Sequence, residues 1–213
     1  MSADSEKRLA AEAAALLVED GMRVGLGTGT TVGFLLPALA ARGLELTCVA
    51  TSVRTEEAAR ALGLDVVAFD RLERLDIAID GADQIAPSWW IVKGGGAAHT
   101  REKIVAAAAE RFVVVASSDK LVDELRPPVP LELLAFGIEA TLAALEPARL
   151  RDVPPSPDGN PIADYFGPIG DVERLSRRLA DTPGVVEHGL FPPELVSEVI
   201  VGRGTSVERP PRR

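Results

Sequence analysis

The sequence predicts an α/β protein: an open parallel sheet with helices on both faces, plus a smaller α+β domain. Through the first 120 residues, short apolar strands alternate with helical patterns, which is typical of a parallel sheet covered on both faces. Near residue 126 a proline-dense segment breaks this alternation. We therefore expect a main domain over residues 1–125, a smaller domain over 126–195, and a return of residues 196–213 to the main domain.

The elements of the main domain follow from apolar periodicity and turn residues. An alanine-rich helix over 5–19 is expected to end at Gly21 in a C-cap position. The remaining predicted helices cover 32–41, 55–62 and 97–110. The predicted strands cover 23–26, 44–50, 65–69, 76–79 and 112–116.

The smaller domain begins after residues 126–130, which are predicted to form a stiff connector without regular structure because of their prolines. The final apolar run, 197–201, is expected to return to the first sheet. Between them the pattern predicts strands at 131–136 and 185–190, helices at 137–145 and 171–180, and a turn at 156–160.

Composition and charge exclude several classes of protein. The formal net charge of −9 would repel DNA and RNA, so we expect no nucleic-acid partner. No apolar run approaches the ~20 residues that a membrane helix needs, and the N-terminal residues lack the pattern of a signal peptide. The single cysteine, Cys48, lies in an apolar run and is expected to be a buried thiol in a reducing compartment. Together these features predict a cytoplasmic protein without a membrane partner.

A glycine- and threonine-rich loop, GLGTGTT at 25–31, lies between a predicted strand and a predicted helix. Its glycines, Gly29 among them, allow backbone N–H groups to face one point, and a helix N-terminus attracts negative charge. The hydroxyls of Thr28, Thr30 and Thr31 can donate to phosphate oxygens. The loop lacks the third glycine of a dinucleotide fingerprint and the lysine of a P-loop. It predicts either a local phosphate site or a plain tight turn.

Two aspartates, Asp80 and Asp83, follow the apolar strand predicted at 76–79. Carboxylates at the carboxyl end of a parallel strand lie where open α/β sheets bind their ligands. A helix cap or a side-chain turn on this loop is the alternative explanation.

Lys93 precedes three consecutive glycines, Gly94, Gly95 and Gly96, and a predicted helix that carries Glu102 in its first turns. Three glycines are entropically costly to order, so a purely structural turn would rarely use them, and they let a backbone approach a ligand closely. A glutamate close to a lysine and two aspartates suits proton transfer on a sugar. Glu102 can act as the base while Lys93 stabilises an oxyanion. The alternative is an exposed Glu102 paired with a helix neighbour.

Three further polar residues are candidates for a functional site. Lys120, after the strand at 112–116, either contacts phosphate or is solvated. The two histidines, His99 and His188, show no metal-ligand spacing, and no Ser/His/Asp or Cys/His arrangement supports covalent catalysis. We therefore expect neither a metal nor an organic cofactor.

Taken together, these segments resemble ribose-5-phosphate isomerases of the A type. The combination of DGAD with KGGGA and REK is highly specific, and the resemblance spans nearly the whole chain. The matching segments are GLGTGTT at 25–31, TSVRTE at 51–56, DIAIDGADQI at 76–85, KGGGAAHTREK at 93–103, SSDKLV at 117–122, DGNPIAD at 158–164 and PGVVEHGLF at 183–191.

The resemblance implies roles for the catalytic candidates. Glu102 matches the general base of the family. Asp80 and Asp83 match aspartates that assist ring opening and proton handling, and Lys93 matches the lysine that stabilises the enediolate.

The resemblance also implies the residues that bind substrate. The threonine loop (Thr28, Thr30 and Thr31) and Lys120 match groups that hold the substrate and its phosphate, and Lys7 matches a phosphate-contacting lysine on the N-terminal helix. The glycines of the two loops belong to the same substrate-binding set.

The activity implied is the interconversion of D-ribose 5-phosphate and D-ribulose 5-phosphate through an enediolate, a step of the pentose phosphate pathway, without a cofactor. The resemblance also implies a homo-oligomer, a dimer or a tetramer. The chain departs from the usual pattern at Gln84, where the family has a glutamate, at His99, where it has an apolar residue, and over 127–137. None of these departures removes a proposed catalytic group.

Two other classes of function stay open. A sugar-phosphate effector domain of bacterial repressors would bind a similar ligand, although the residues before Gly25 leave no room for a helix-turn-helix. A related amino-sugar phosphate isomerase or a CoA transferase is the other class. Assays with ribose 5-phosphate, glucosamine 6-phosphate and an acyl-CoA would distinguish them.

Overall fold

A computed structural model describes residues 2–213, apart from the side chain of residue 71. The described part contains six α-helices and fourteen strands. The helices are α1 (Ala3–Ala15), α2 (Thr30–Ala40), α3 (Val53–Ala61), α4 (His99–Ala108), α5 (Ile138–Ala144) and α6 (Val172–Asp181). The strands are β1 (Arg23–Leu26), β2 (Thr47–Ala50), β3 (Asp65–Val66), β4 (Leu75–Asp80), β5 (Gln84–Ile85), β6 (Ile91–Val92), β7 (Ala109–Ser117), β8 (Val129–Leu133), β9 (Ala148–Leu150), β10 (Ile162–Tyr165), β11 (Val185–His188), β12 (Leu190–Phe191), β13 (Glu198–Arg203) and β14 (Ser206–Glu208).

The largest sheet has seven strands in the order β14-β13-β7-β4-β1-β2-β3. Its neighbouring strands run parallel except at the edge, where β14 pairs antiparallel with β13. The run at 197–201 was expected to return to this sheet, and β13 does so by pairing with β7 from Glu198↔Val113 to Gly202↔Ser117.

Alternate side chains of the central strands face two different layers of helices. On one face, Ile77 and Ile79 of β4 pack with the alanine-rich side of α1 and with Leu35 of α2. On the other face, Ala78 of the same strand packs with Val105 of α4. Burial on both faces explains why the strands are nearly continuous apolar runs. The structure confirms the predicted α/β fold with an open, mostly parallel sheet.

No helix within residues 2–213 is long and apolar enough to span a membrane.

The strand order reverses at β1, because β2 and β3 lie on one side of it and β4 and β7 on the other. Open α/β sheets bind ligands beyond the carboxyl ends of the strands at such a reversal. The glycine-threonine loop after β1 meets Asp80, at the end of β4, and Asp83, just after it, at this point.

Two smaller sheets complete the fold. The antiparallel sheet β11-β8-β10-β9 falls within residues 126–195 and packs against α6. The second, β12-β6-β5, joins strands from either side of residue 126. The smaller α+β unit is therefore present, whereas the domain boundaries at 125 and 195 remain a prediction.

The first helix differs from the predicted one. It begins earlier, because Ser2 caps it by accepting a hydrogen bond from the Ser5 N–H. It ends at Ala15, four residues before the predicted end. There the Arg42 guanidinium donates hydrogen bonds to the carbonyls of Ala15 and Val18. Gly21 is therefore not the C-cap of this helix.

The connector predicted at 126–130 was also partly wrong, because Val129 and Pro130 open strand β8. Pro130 has no N–H to donate, but its carbonyl accepts from the Gly189 N–H at 2.7 Å. At Gly189 the strand predicted over 185–190 divides into β11 and β12, which belong to different sheets. The strands that were not predicted are β5, β6, β9, β10 and β14, each of two to four residues.

Candidate active site

A cavity of about 140 Å³ lies at the carboxyl ends of β1 and β4. Every predicted site residue except Asp80 lines it, although the candidates come from five separate stretches of sequence. The lining residues are Lys7, Thr28, Gly29, Thr30, Thr31, Gly81, Ala82, Asp83, Lys93, Gly94, Gly95, Gly96, Glu102 and Lys120.

One wall of the cavity is the glycine-threonine loop, which leads into the N-terminus of α2 at Thr30. Gly29 has a φ of 116°, a conformation that favours glycine. The Thr28 hydroxyl lies 2.8 Å from the Thr51 hydroxyl and donates to the Ser52 hydroxyl at 2.9 Å. Thr55 donates to the Gly27 carbonyl at 2.9 Å. The TSVRTE segment therefore fixes the loop from behind, a role that no spacing in the sequence indicates.

Asp80 lies behind this wall rather than in the cavity. Its Oδ1 atom accepts hydrogen bonds from the backbone N–H groups of Thr28 (3.1 Å) and Gly81 (2.7 Å). A Cβ on Gly27 would come within 1.9 Å of the Asp80 Cγ, so only glycine fits there. Asp80 thus joins the loops that follow β1 and β4.

Lys93 connects the two buried carboxylates. Its Nζ atom lies 2.9 Å from Asp80 Oδ2 and 3.2 Å from Glu102 Oε2, and it donates to the Gly81 carbonyl at 2.5 Å. The three charged side chains are each no more than 4% exposed. Buried charges of this kind need partners, and here each carboxylate has the same ammonium group as its partner.

Two carboxylates and one ammonium leave an excess negative charge in a buried site, and this shifts the pKa values. Burial and the neighbouring Asp80 raise the pKa of Glu102 to about 8, although Lys93 opposes the shift. The pKa of Lys93 is raised because attraction to Asp80 and Glu102 outweighs the effect of burial. Burial also raises the pKa of Asp80, but two backbone N–H groups stabilise its ionised form. Of the two carboxylates, Glu102 is therefore the one whose raised pKa, about 8, lies near neutral pH.

Asp83 is placed at the exposed side of the cavity. Its Oδ2 atom accepts a hydrogen bond from the Gly95 N–H at 2.8 Å, and its own N–H donates to the Val92 carbonyl at 2.8 Å. It is therefore held close to the glycine turn while its carboxylate remains accessible to a ligand in the cavity.

The cations Lys7 and Lys120 come from α1 and from the short 3-10 helix Ser118–Lys120 after β7. Glu6 fixes these two elements together, because its carboxylate accepts from the N–H groups of Gly204 and Ser118 and from the Ser118 hydroxyl. These hydrogen bonds lower the pKa of Glu6 to about 2. Sequence reasoning did not identify Glu6.

Two of the three departures from the family pattern, His99 and Gln84, lie outside the cavity lining. His99 is fully buried beneath Gly94, and burial lowers its pKa to about 4, so the ring is neutral. The Gln84 side chain exchanges two hydrogen bonds with the backbone of Arg126, at 2.7 and 2.8 Å. Within residues 2–213, no group of three or more His, Cys, Asp and Glu side chains is placed to hold a metal ion.

The family model and the curated relatives indicate the same family. The family model for ribose 5-phosphate isomerase A (phosphoriboisomerase A) matches residues 47–206. The ribose-5-phosphate isomerase A of Caulobacter vibrioides is 44% identical over 225 residues, which cover 98% of this chain and 99% of the relative. The solved ribose 5-phosphate isomerase A of Methanocaldococcus jannaschii has a TM-score of 0.92 at 34% identity, covering 98% of this chain and 99% of that one.

A second solved structure, a D-ribose-5-phosphate isomerase in complex with phospho-erythronic acid, has a TM-score of 0.93 at 33% identity and covers 100% of both chains. Similarity of this extent includes both the large sheet and the smaller unit. The chain belongs to the ribose 5-phosphate isomerase A family.

Proposed function

We propose that this protein interconverts D-ribose 5-phosphate and D-ribulose 5-phosphate by proton transfer through an enediolate, with Glu102 as the base. The observation that carries the proposal is the buried Asp80–Lys93–Glu102 cluster, in which Lys93 and Glu102 reach the cavity. Such a cluster provides a base with a raised pKa beside a fixed positive charge, which are the two groups that enediolate chemistry needs.

The substrate's phosphate would bind between the threonine loop and the two lysines. The N-terminus of α2 begins at Thr30, and Lys7 and Lys120 line the same cavity. A helix N-terminus with hydroxyl and ammonium donors attracts phosphate locally. This local positive potential explains how a chain with a net charge of −9 would hold an anionic sugar.

The chemistry then follows from the positions of the side chains. In its ionised form Glu102 takes the proton from C2 of the open-chain sugar and returns one to C1, while the hydroxyl proton of O2 passes to O1, so the proton balance is zero. Lys93 stays charged and stabilises the oxygen of the enediolate. Asp83, at the exposed side, assists ring opening. Asp80 holds Lys93 in place from outside the cavity, so we assign it an orienting role rather than direct contact with the substrate.

The ligand of one relative supports this assignment. Phospho-erythronic acid, bound in that relative, combines a phosphate with a carboxylate. In this cavity its phosphate would face the threonine loop and its carboxylate would face Lys93, where the enediolate oxygens would lie.

The setting of the enzyme is part of the proposal. We propose that it acts in the pentose phosphate pathway, in the cytoplasm, as a homo-oligomer (a dimer or a tetramer). The lone Cys48 is buried, and burial raises the pKa of its thiol to about 12, so it suits a reducing compartment and not disulfide formation. Light scattering coupled to size-exclusion chromatography would measure the assembly, and a monomeric mass would refute the oligomer.

The test of the activity is a coupled assay for ribulose 5-phosphate formed from ribose 5-phosphate. Glu102→Gln keeps the shape of the side chain but cannot take a proton, so kcat should fall by roughly 10²–10⁴-fold with KM little altered. Incorporation of solvent deuterium into the sugar should disappear with it. Glu57→Gln, on the exposed surface of α3, is the control and should leave the rate unchanged. Near-normal kcat in Glu102→Gln would refute the mechanism, and turnover of glucosamine 6-phosphate or an acyl-CoA instead would refute the substrate.

A further inference from the structure

We propose that Arg151, which lies outside the cavity in the smaller α+β unit, is a positioning residue for catalysis. It holds the Gly94 turn, and through that turn it sets the relative positions of Lys93 and Glu102. This inference rests on the proposed isomerase function and adds to it a residue that none of the matched motifs contains.

The Arg151 guanidinium contacts two groups at once. Its Nε and Nη2 atoms donate to the two carboxylate oxygens of Asp164, the Nε contact measuring 2.8 Å, and its Nη1 atom donates to the Gly94 carbonyl at 2.9 Å. The Arg151 and Asp164 side chains are only 18% and 13% exposed. A bidentate pair with a carboxylate fixes the guanidinium plane, so the third donor is aimed at one point.

The Gly94 carbonyl is the acceptor on which the turn depends. It also accepts the Ala97 N–H at 3.1 Å, which closes the four-residue turn that leads into α4. The other side of Gly94 is packed tightly, since an added Cβ would lie 2.7 Å from Pro130 and 2.8 Å from the His99 ring. Gly94 has a φ of 109°, and because glycine can adopt many backbone conformations, neighbouring contacts are needed to hold it in this one. Packing against Pro130 and His99 supports Gly94 on one side, and the hydrogen bond from Arg151 holds its carbonyl.

The turn connects the two groups that perform the chemistry. Lys93 immediately precedes it, and α4 follows it with Glu102 in the first turn, where the Glu102 N–H donates to the Ala98 carbonyl at 3.0 Å. A movement of the turn therefore changes the 3.2 Å separation between Lys93 Nζ and Glu102 Oε2. The threonine loop and Lys120 are on other elements, so the grip on the phosphate would be unaffected.

The same unit holds α4 at a second point. Arg101 of α4 pairs with Asp158, with Nη2–Oδ1 at 2.7 Å, and Thr100 donates to the buried Glu132 at 2.6 Å. These contacts limit how far the helix can move when Arg151 is changed. We therefore expect a displaced turn and not an unfolded helix.

The principal test is the kinetics of Arg151→Met in the full chain. Small displacements of catalytic groups lower kcat by roughly 10- to 100-fold, so we expect a loss of at least about 10-fold in kcat, with KM for ribose 5-phosphate within about threefold. Arg151→Lys keeps one donor group and should recover part of this loss. Arg174→Met, on the exposed face of α6, is the matched control and should leave both constants unchanged.

Asp164→Asn tests whether the carboxylate acts through Arg151. If it does, the double variant that combines Arg151→Met with Asp164→Asn should lose no more kcat than Arg151→Met alone. Hydrogen exchange in the peptide 93–103 gives a readout independent of activity, and exchange at Ala97 should accelerate in Arg151→Met while the α4 amides remain protected.

Two results would overturn the proposal. One is a kcat within twofold of the unaltered chain, whatever happens to the stability, because this would make the ion pair merely structural. The other is a raised KM at unchanged kcat, because Arg151 would then act on substrate binding. If Arg151→Met does not fold, Arg151→Lys decides by the same criteria. An inactive unaltered chain would refute the proposed function itself, which distinguishes that failure from an active chain whose variants are unimpaired.

Discussion

Glu102 should make the stability of the fold depend on pH, and Glu102→Gln should remove the part of the dependence that is due to this group. In the folded protein, burial and the charge of Asp80 raise the pKa of Glu102 from 4.5 to about 8. The folded state therefore binds one proton more than the unfolded state between these pH values. Because the unfolded chain binds fewer protons there, the free energy of unfolding falls as pH rises through this window.

The size of the effect follows from the slope for one proton, which is about 1.4 kcal/mol per pH unit. Between about pH 6 and about pH 8 the unaltered chain should lose up to about 3 kcal/mol through this group, and about half of that if Asp80 and Lys93 share the titration. In Glu102→Gln one carboxylate faces one ammonium, so no extra proton is bound and the loss disappears. The buried neutral His99 and His188 are present in both proteins, so their contributions cancel in the difference.

The measurement is urea unfolding of both proteins at a series of pH values from about 6 to about 8.5. The difference in unfolding free energy, variant minus unaltered chain, should grow by roughly 1.5–3 kcal/mol in favour of the variant as pH rises. Glu57→Gln, an exposed control on α3, should give a difference that does not vary with pH. A constant difference for Glu102→Gln would refute the raised pKa, and a difference of the opposite sign would show that Glu102 is stabilised as a carboxylate.

Three further predictions concern the site. Lys120→Ala should raise KM for ribose 5-phosphate by about 10-fold or more at little altered kcat, since phosphate is bound alike in the ground and transition states; an unchanged KM in the coupled assay would remove Lys120 from the site. Gly27→Ala should destabilise the fold by roughly 1–3 kcal/mol in urea unfolding and lower kcat, because the added Cβ would lie 1.9 Å from the Asp80 Cγ and displace that carboxylate. Unchanged stability and an unchanged rate would contradict this packing. Exhaustive chelation should leave the rate unchanged, because the buried carboxylates have Lys93 as their partner; loss of rate that one divalent ion restores would contradict this.

Local sequence patterns predicted the architecture of the large sheet and most of the residues that line the cavity. Strand β1 was predicted with its observed bounds, Arg23–Leu26, because its apolar residues are followed at once by a glycine turn. Most of the cavity residues were found because glycine-rich loops and charged residues directly after apolar strands are uncommon unless a ligand meets the backbone, whereas Lys7 was found only through the family resemblance. Such signals lie within a few neighbouring residues, so a single sequence displays them.

Tertiary structure decided which of these residues contact one another and what holds them. Asp80 was expected among the catalytic residues, and the fold places it behind the glycine-threonine loop, against Gly27 and Lys93 and outside the cavity lining. Glu6 and Arg151 carry no local signal, because each acts on a backbone group far away in sequence: Glu6 on Gly204 and Arg151 on Gly94. The pKa of Glu102 likewise depends on burial and on the charges of Asp80, Asp83 and Lys93, which the fold brings close to it. Contacts between distant segments arise only when the chain is folded, and for that reason the sequence identified the chemical groups while the fold determined their geometry and charge state.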